Sequence, residues 1–371
     1  MKIFLLTTHL EMGGIPVYVV DLARGLKRRG HEPVVFSSGG ALQRRLAEAG
    51  IRHVRIPCRT SSELNPKLWL RAFPRLLKFY REERPEMVHA HTRVTQVLGW
   101  ALSSWTGVPY VSTCHGLYRF RWGRRYFRCW GTWVMAISNA SMNRLVGQYR
   151  LAPPHQVVLV ENGIDVDRFR KAPAADQVEH FRQAAGLRSE PVIGSISRLS
   201  PVKGLDLLLK AMPGLLKEFP DLQLLLVGDG PARPDLVRLA YELRIADRVV
   251  ISPSVEDTRV PLALMRVFAA PAWREGFGLA IVEAMAAGVP VMASAAGGPV
   301  EILEQGESGL LVPPGDVAAI EAALRTLLRD QELRRQLAER ARNRAVEHYD
   351  LQRVVGQVEK IYVETRRVLG R

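Results

Sequence analysis

Short apolar runs alternate along the chain with stretches whose apolar residues recur every three or four positions, the signatures of buried strands and packed helices. Lys2–Thr8, Pro33–Ser37, His53–Ile56, Met87–Ala90 and Tyr110–Thr113 read as strands. Pro16–Arg29, Leu42–Ala49, Pro66–Glu83 and Thr95–Trp105 read as the helices between them. Strands joined through helices lie parallel, so the pattern predicts an open, doubly wound α/β sheet. The rhythm resumes at Val192–Ser197 and runs through Gly204–Glu218, Leu222–Val227, Pro234–Leu243 and Arg248–Ile251. It continues through Val267–Ala270, Leu279–Ala286, Val289–Ala293 and Leu310–Leu311.

Two such units of similar size leave a cleft between them, the preferred place for a ligand. The expected division is 1–168 and 169–350, with the polar stretch Lys171–Glu190 near the join. The Arg-rich end, Asp330–Arg371, reads as two helices parted near His348–Asp350, the last of which can pack back on the first domain.

Length and composition agree with two globular domains: 371 residues, 47% hydrophobic and 24% charged. Cys58, Cys114 and Cys129 form a sparse, odd set without a CxxC pair, which argues against a disulfide framework and fits a reducing cytosol. The opening MKIFLLTTHLE is too short in apolar residues for a signal core. Val94–Tyr118 carries no Lys, Arg, Asp or Glu, yet its polar residues and Gly107-Val108-Pro109 favour a buried helix and strand over a membrane span.

Charge changes the picture. The net +15 is lopsided: residues 1–165 hold 24 basic and 10 acidic residues, the remainder 28 and 27. A basic first half points to an anionic partner.

Three loops carry candidate chemistry. In Trp273–Glu283, Gly276 and Gly278 clear side chains from the start of a helix, where free backbone N–H groups favour an anion. Glu275 precedes that helix and Glu283 sits about one and a half turns inside it. Their separation suits gripping two sets of hydroxyls, as on a sugar nucleotide. In Gly194–Gly204, Arg198 and Lys203 project from one strand-to-helix loop and could neutralise a diphosphate, one by a forked guanidinium and one as a point charge. Gly13 and Gly14 leave the first strand and enter a helix, again exposing backbone donors.

Taken with Thr113-Cys114-His115-Gly116, Ala136-Ile137-Ser138, Glu161-Asn162-Gly163-Ile164-Asp165, Val227-Gly228-Asp229-Gly230-Pro231, Gly297-Gly298-Pro299 and Gly309-Leu310-Leu311-Val312, these loops make the chain resemble family four of the retaining glycosyltransferases. That family has the GT-B architecture, two Rossmann-like doubly wound domains facing each other across a cleft. The resemblance spans nearly the whole chain and rests most specifically on Glu275 and Glu283.

It implies that Glu283 holds the nucleotide's ribose hydroxyls and that Glu275 contacts the donor sugar. Backbone N–H groups near Gly276, Phe277, Gly278 and Leu279 would face sugar and diphosphate. Arg198 and Lys203 would neutralise the leaving diphosphate in place of a metal, with no cofactor. Gly14, beside Gly13, would approach the diphosphate, and His115 would lie near the donor sugar. The chain departs from the family's usual pattern at Ala272, where serine is common. Asp165-Val166-Asp167 looks like a metal-binding DxD, but the family uses that segment as a hinge.

The implied reaction is transfer of a hexosyl-type sugar from a UDP- or GDP-sugar to a glycan, glycolipid or lipid-linked acceptor, in cell-envelope polysaccharide or lipopolysaccharide synthesis. A UDP-sugar 2-epimerase of the same architecture and a non-catalytic nucleic-acid-binding protein are the alternatives. The stretch Tyr118–Trp133 packs five arginines and seven aromatics into sixteen residues. Its Arg119, Arg121, Trp122, Arg124 and Arg125 suit docking to a lipid-linked acceptor or an anionic membrane. Single-stranded nucleic acid and a helix half in the core are the competing readings. No nucleic-acid motif accompanies the charge, so no nucleic-acid partner is expected. The expected location is the cytoplasm, with the inner membrane face open to peripheral contact.

Overall fold

The computed structural model describes residues 1–60, 62–63, 65–117 and 127–370. They form two compact units, one of Met1–Gly163 with the segment from Leu351 onward, the other of Ile164–Asp350. The boundary therefore falls after Gly163 rather than after residue 168. The reason is local. Val166–Arg170 forms a short helix that packs against a second-unit helix, Leu279–Ala287.

In the first unit the strands are β1 (Lys2–Leu6), β2 (Glu32–Ser37), β3 (Arg52–Arg55), β4 (Met87–Ala90), β5 (Tyr110–Cys114), β6 (Val134–Ala136) and β7 (Val157–Leu159). All pair in parallel, in the order β3-β2-β1-β4-β5-β6-β7. Chain order reverses between β1 and β4, the switch point where doubly wound sheets bind ligands beyond their strand ends. Helix α1 (Gly14–Arg28) buries Val19, Leu22, Ala23 and Leu26, the i, i+3, i+4, i+7 face that the pattern predicts, and leaves Lys27 and Arg28 outside. The expected helix Pro66–Glu83 is interrupted by a wider π-turn at Leu68–Ala72 before its regular part, Phe73–Glu83. Val94–Tyr118 resolves into helix Arg93–Thr106 and strand β5, and among the described residues no helix is long and apolar enough to cross a membrane.

The last helix, Leu351–Val368, lies against α1. Leu351, Val354, Val355, Val358 and Tyr362 join the core of α1 and β1. Gly25 permits the approach, because a Cβ there would strike Val355. Its rim is held by Glu359 to Arg29 at 2.6 Å and by Arg366 to Glu86 at 2.7 Å.

The second unit repeats the plan with β8 (Val192–Ile196), β9 (Gln223–Val227), β10 (Val249–Ser252), β11 (Val267–Ala270), β12 (Val291–Ser294) and β13 (Leu310–Val312). Their order is β10-β9-β8-β11-β12-β13, so its switch point lies between β8 and β11. The polar stretch at Lys171–Glu190 contains a helix, Ala175–Ala185.

Candidate functional site

The loops leaving β8 and β11 are neighbours because those strands are neighbours, and they carry the residues singled out from the second half. Trp273 N–H donates to the Val202 carbonyl at 2.9 Å, tying one loop to the other. Gly204, at φ 64°, ends the Pro201–Lys203 turn in a left-handed conformation that favours glycine, and a Cβ there would strike the Pro271 carbonyl. In this frame the Lys203 ammonium donates to Glu275 Oε2 as a direct ion pair. Both side chains are mostly covered, at 25% and 19% exposure. The spacing kept these two residues in separate roles, whereas the structure makes them partners. Arg198 is exposed, and its guanidinium has no ion-pair partner among the described residues.

Glu275 is also fixed through its backbone. Its N–H donates to Ala296 O at 2.8 Å and its carbonyl accepts from Gly298 N–H at 3.0 Å, so the Gly297-Gly298-Pro299 turn braces the loop. Phe277 points its ring into the core, edge-on to Tyr349 with centroids 5.7 Å apart. Helix Leu279–Ala287 starts at Gly278, whose φ of 115° lies in the region that disfavours a side chain. Its first turn carries no acidic residue, leaving the positive end of the helix dipole to an outside anion. Further in, Glu283 is buried and accepts from Thr258 Oγ1 at 2.9 Å. Thr258 has no signal in the sequence. It lies twenty-five positions upstream in another loop, and no motif spacing links the two.

In the first unit Gly13 and Gly14 are exposed at the start of α1, whose first turn is likewise free of acid, and a Cβ at Gly14 would meet open space. His115 leaves β5 beside a histidine group that sequence reasoning did not find. His91 Nδ1 and His115 Nε2 are 3.1 Å apart, and Tyr18 stands edge-on to His115 with ring centroids at 5.0 Å. His89 lies against His91, ring centroids 4.1 Å apart and planes tilted by 40°, and hydrogen-bonds to Tyr362 Oη and Thr113 Oγ1, each at 2.7 Å. Burial pushes the His89 imidazole down to about 3 and holds His91 and His115 below the ordinary range, so the group is uncharged at neutral pH. The alternation of β4, carried one residue past its end, would have flagged His89 and His91 as one face, but only their neighbours show what they do.

Asp165 serves as a helix cap. Its Oδ1 accepts from Arg168 N–H at 3.1 Å, while Asp167 is 84% exposed. Asp165→Ala should lower the melting midpoint by the equivalent of about 1 kcal/mol, the usual worth of an N-cap. It should leave turnover in EDTA unchanged, and a loss of turnover restored by magnesium would make the pair a metal site. Among the described residues no three His, Cys, Asp or Glu side chains stand together to hold a metal ion. Arg119, Arg121, Trp122, Arg124 and Arg125 lie outside the described residues. The end of that stretch belongs to the core: Trp130 is buried, with Nε1–H donating to Leu151 O at 2.9 Å.

Two family models match the chain, one described as Glycosyltransferase Family 4 over residues 12–168 and one as Glycosyl transferases group 1 over residues 177–344. A GDP-mannose-dependent alpha-(1-6)-phosphatidylinositol monomannoside mannosyltransferase from Mycolicibacterium smegmatis is 39% identical over 177 residues. That alignment covers 45% of this chain and 46% of the relative, about half of each. A D-inositol 3-phosphate glycosyltransferase from Streptomyces scabiei is 30% identical over 352 residues, 85% of this chain and 78% of its own. Among solved structures, Anabaena HepE in complex with UDP and glucose superposes with a TM-score of 0.85 at 24% identity, covering 98% of this chain and all of that one.

Proposed function

Because the chain belongs to the glycosyltransferases of family 4 and group 1, we propose that it moves a hexosyl-type sugar from a UDP- or GDP-sugar to a glycan, glycolipid or lipid-linked acceptor. The transfer retains anomeric configuration, needs no metal ion, and serves cell-envelope polysaccharide or lipopolysaccharide synthesis at the cytoplasmic membrane face. The observation that carries this reading is the switch-point cluster of Arg198, the Lys203–Glu275 pair, the Gly278 helix start and buried Glu283.

Cleaving the anomeric bond puts negative charge on the diphosphate and positive charge on the ring. Lys203, held by Glu275, the exposed Arg198 and a helix N-terminus would meet the first charge, and preorganised charge of this kind is usually the largest catalytic term. Glu275 is held where one oxygen serves Lys203, leaving a second for sugar hydroxyls. Glu283, anchored by Thr258, accepts from the ribose hydroxyls. Gly14 and His115 of the first unit take the parts that the resemblance assigns them, toward diphosphate and donor sugar. GDP-mannose, named for the M. smegmatis relative, heads the donors to try.

A thermal-shift panel of nucleotide sugars tests the donor class, since a ligand at 100 times its Kd stabilises the fold by about 2.7 kcal/mol. GDP- or UDP-hexoses should raise the midpoint, with and without EDTA alike. No shift with any nucleotide sugar would sink the reading, and a shift abolished by EDTA would sink its metal independence. The anomeric signal of the product by NMR decides retention.

A further inference from the structure

The histidine group of the first unit holds an imbalance that decides where protons sit. His91 is fully buried, and its Nε2 has no hydrogen-bond partner among the described residues. Its Nδ1 lies 3.1 Å from Nε2 of His115, close enough for one hydrogen bond. The two uncharged rings have one proton each, so the bond has two possible directions. If His115 donates, His91 keeps its proton on Nε2 and buries an orphan N–H. If His91 donates from Nδ1, the orphan is a lone pair. In folded proteins a buried donor left without a partner is rarer than an under-satisfied acceptor. The second arrangement is therefore the stable one.

We propose that His91 is a positioning residue for His115: its Nδ1–H donates to Nε2 of His115 and so keeps the His115 proton on Nδ1. This rests on the reading that His115 faces the donor sugar. Nδ1 of His115 has no partner among the described residues, and the residue is only partly covered. His115 then offers the substrate an N–H, suited to a hydroxyl or phosphate oxygen, and cannot accept a proton there. Tyr18 supports the geometry by standing edge-on to both rings, at 5.0 Å and 5.9 Å. His89, bonded at both nitrogens, lies against the His91 ring with centroids 4.1 Å apart.

The test is the tautomer itself, read by long-range proton–nitrogen correlation on the protein labelled with 15N-histidine. His115 among the nine histidines is assigned by its loss in His115→Gln. Wild type should show a protonated Nδ1 and a bare Nε2. In His91→Phe, which keeps the ring and removes the donor, the His115 pattern should move toward the Nε2-protonated form. His91→Asn, with an amide N–H in the place of Nδ1, should restore it. With a nucleotide-hexose donor, His91→Phe should lower kcat by about 10-fold to 10²-fold, the size of a small misplacement of a reacting group, with little change in KM.

A wild-type His115 protonated on Nε2, or a pattern unmoved in a folded His91→Phe, overturns the proposal. If His91→Phe does not fold, the wild-type spectrum decides alone. The spectrum needs no substrate. Failure of sugar transfer with the expected tautomer therefore counts against the proposed function, and the reverse outcome counts against the role of His91.

Discussion

Lys203→Ala should lower kcat for sugar transfer by roughly 10²-fold or more, the cost seen when one preorganised donor to a developing oxyanion is removed. The structure adds a complication, because Lys203 is also the partner of Glu275. Losing the ammonium leaves that carboxylate, 19% exposed, without its counter-charge, and part of the lost rate could come from a Glu275 that has moved. A double-mutant cycle separates the two effects. If Lys203 acts on the diphosphate directly, Glu275→Gln alone costs less than Lys203→Ala, and the double variant is worse than either. If Lys203 only holds Glu275, the double variant is no worse than Glu275→Gln. Near-normal turnover in Lys203→Ala would remove the residue from the mechanism altogether. Arg198, already exposed and unpaired among the described residues, is the control: it can lose its charge without stranding an acid.

Glu283→Gln should weaken donor binding by about 10-fold to 10²-fold, since one hydrogen bond to a charged group is worth about 1.5–3 kcal/mol. Glutamine keeps the shape and an acceptor for Thr258 Oγ1, so the buried position stays filled and the melting midpoint should hardly move. The discriminating ligand is a nucleotide diphosphate without ribose 2′- and 3′-hydroxyls. It should bind wild type weakly and gain nothing from the native glutamate. Isothermal titration gives both affinities, and an equal loss on the dideoxy ligand would show that Glu283 shapes the loop instead of holding the ribose.

Much of the architecture was legible because both units are built from strands buried on two faces and helices buried on one, which write different periods into the chain. α1 and the two terminal helices came out close to their observed limits, with the break at Tyr349-Asp350. Strands β6 and β7 did not. Each has three residues, too few for any period, and they are strands because β6 pairs along β5 and β7 along β6. The first unit ends at Gly163 and not at residue 168 because Val166 and Phe169 are buried, whereas polarity at Lys171–Glu190 reads as a linker.

Within the candidate site, spacing singled out Lys203, Glu275 and Glu283 but not their bonds. Lys203 meets Glu275 across seventy-two positions and Thr258 meets Glu283 across twenty-five, so only the parallel order of the strands brings them together. The histidine group escaped notice for the same reason, being assembled from β4, β5 and two helices.

The terminal helix has a consequence for synthesis. The chain leaves the first unit at Gly163, completes the whole of the second, and returns at Leu351 beside its point of departure, where Ile164 and Asp350 pair. The second unit is thus an insertion, and every one of its residues emerges from the ribosome before the first has Val355 and Tyr362 to cover α1 and β1. Although domains generally mature from the amino end as they are made, here the later one can close first. The earlier one waits, with apolar surface uncovered, for the helix that begins at Leu351.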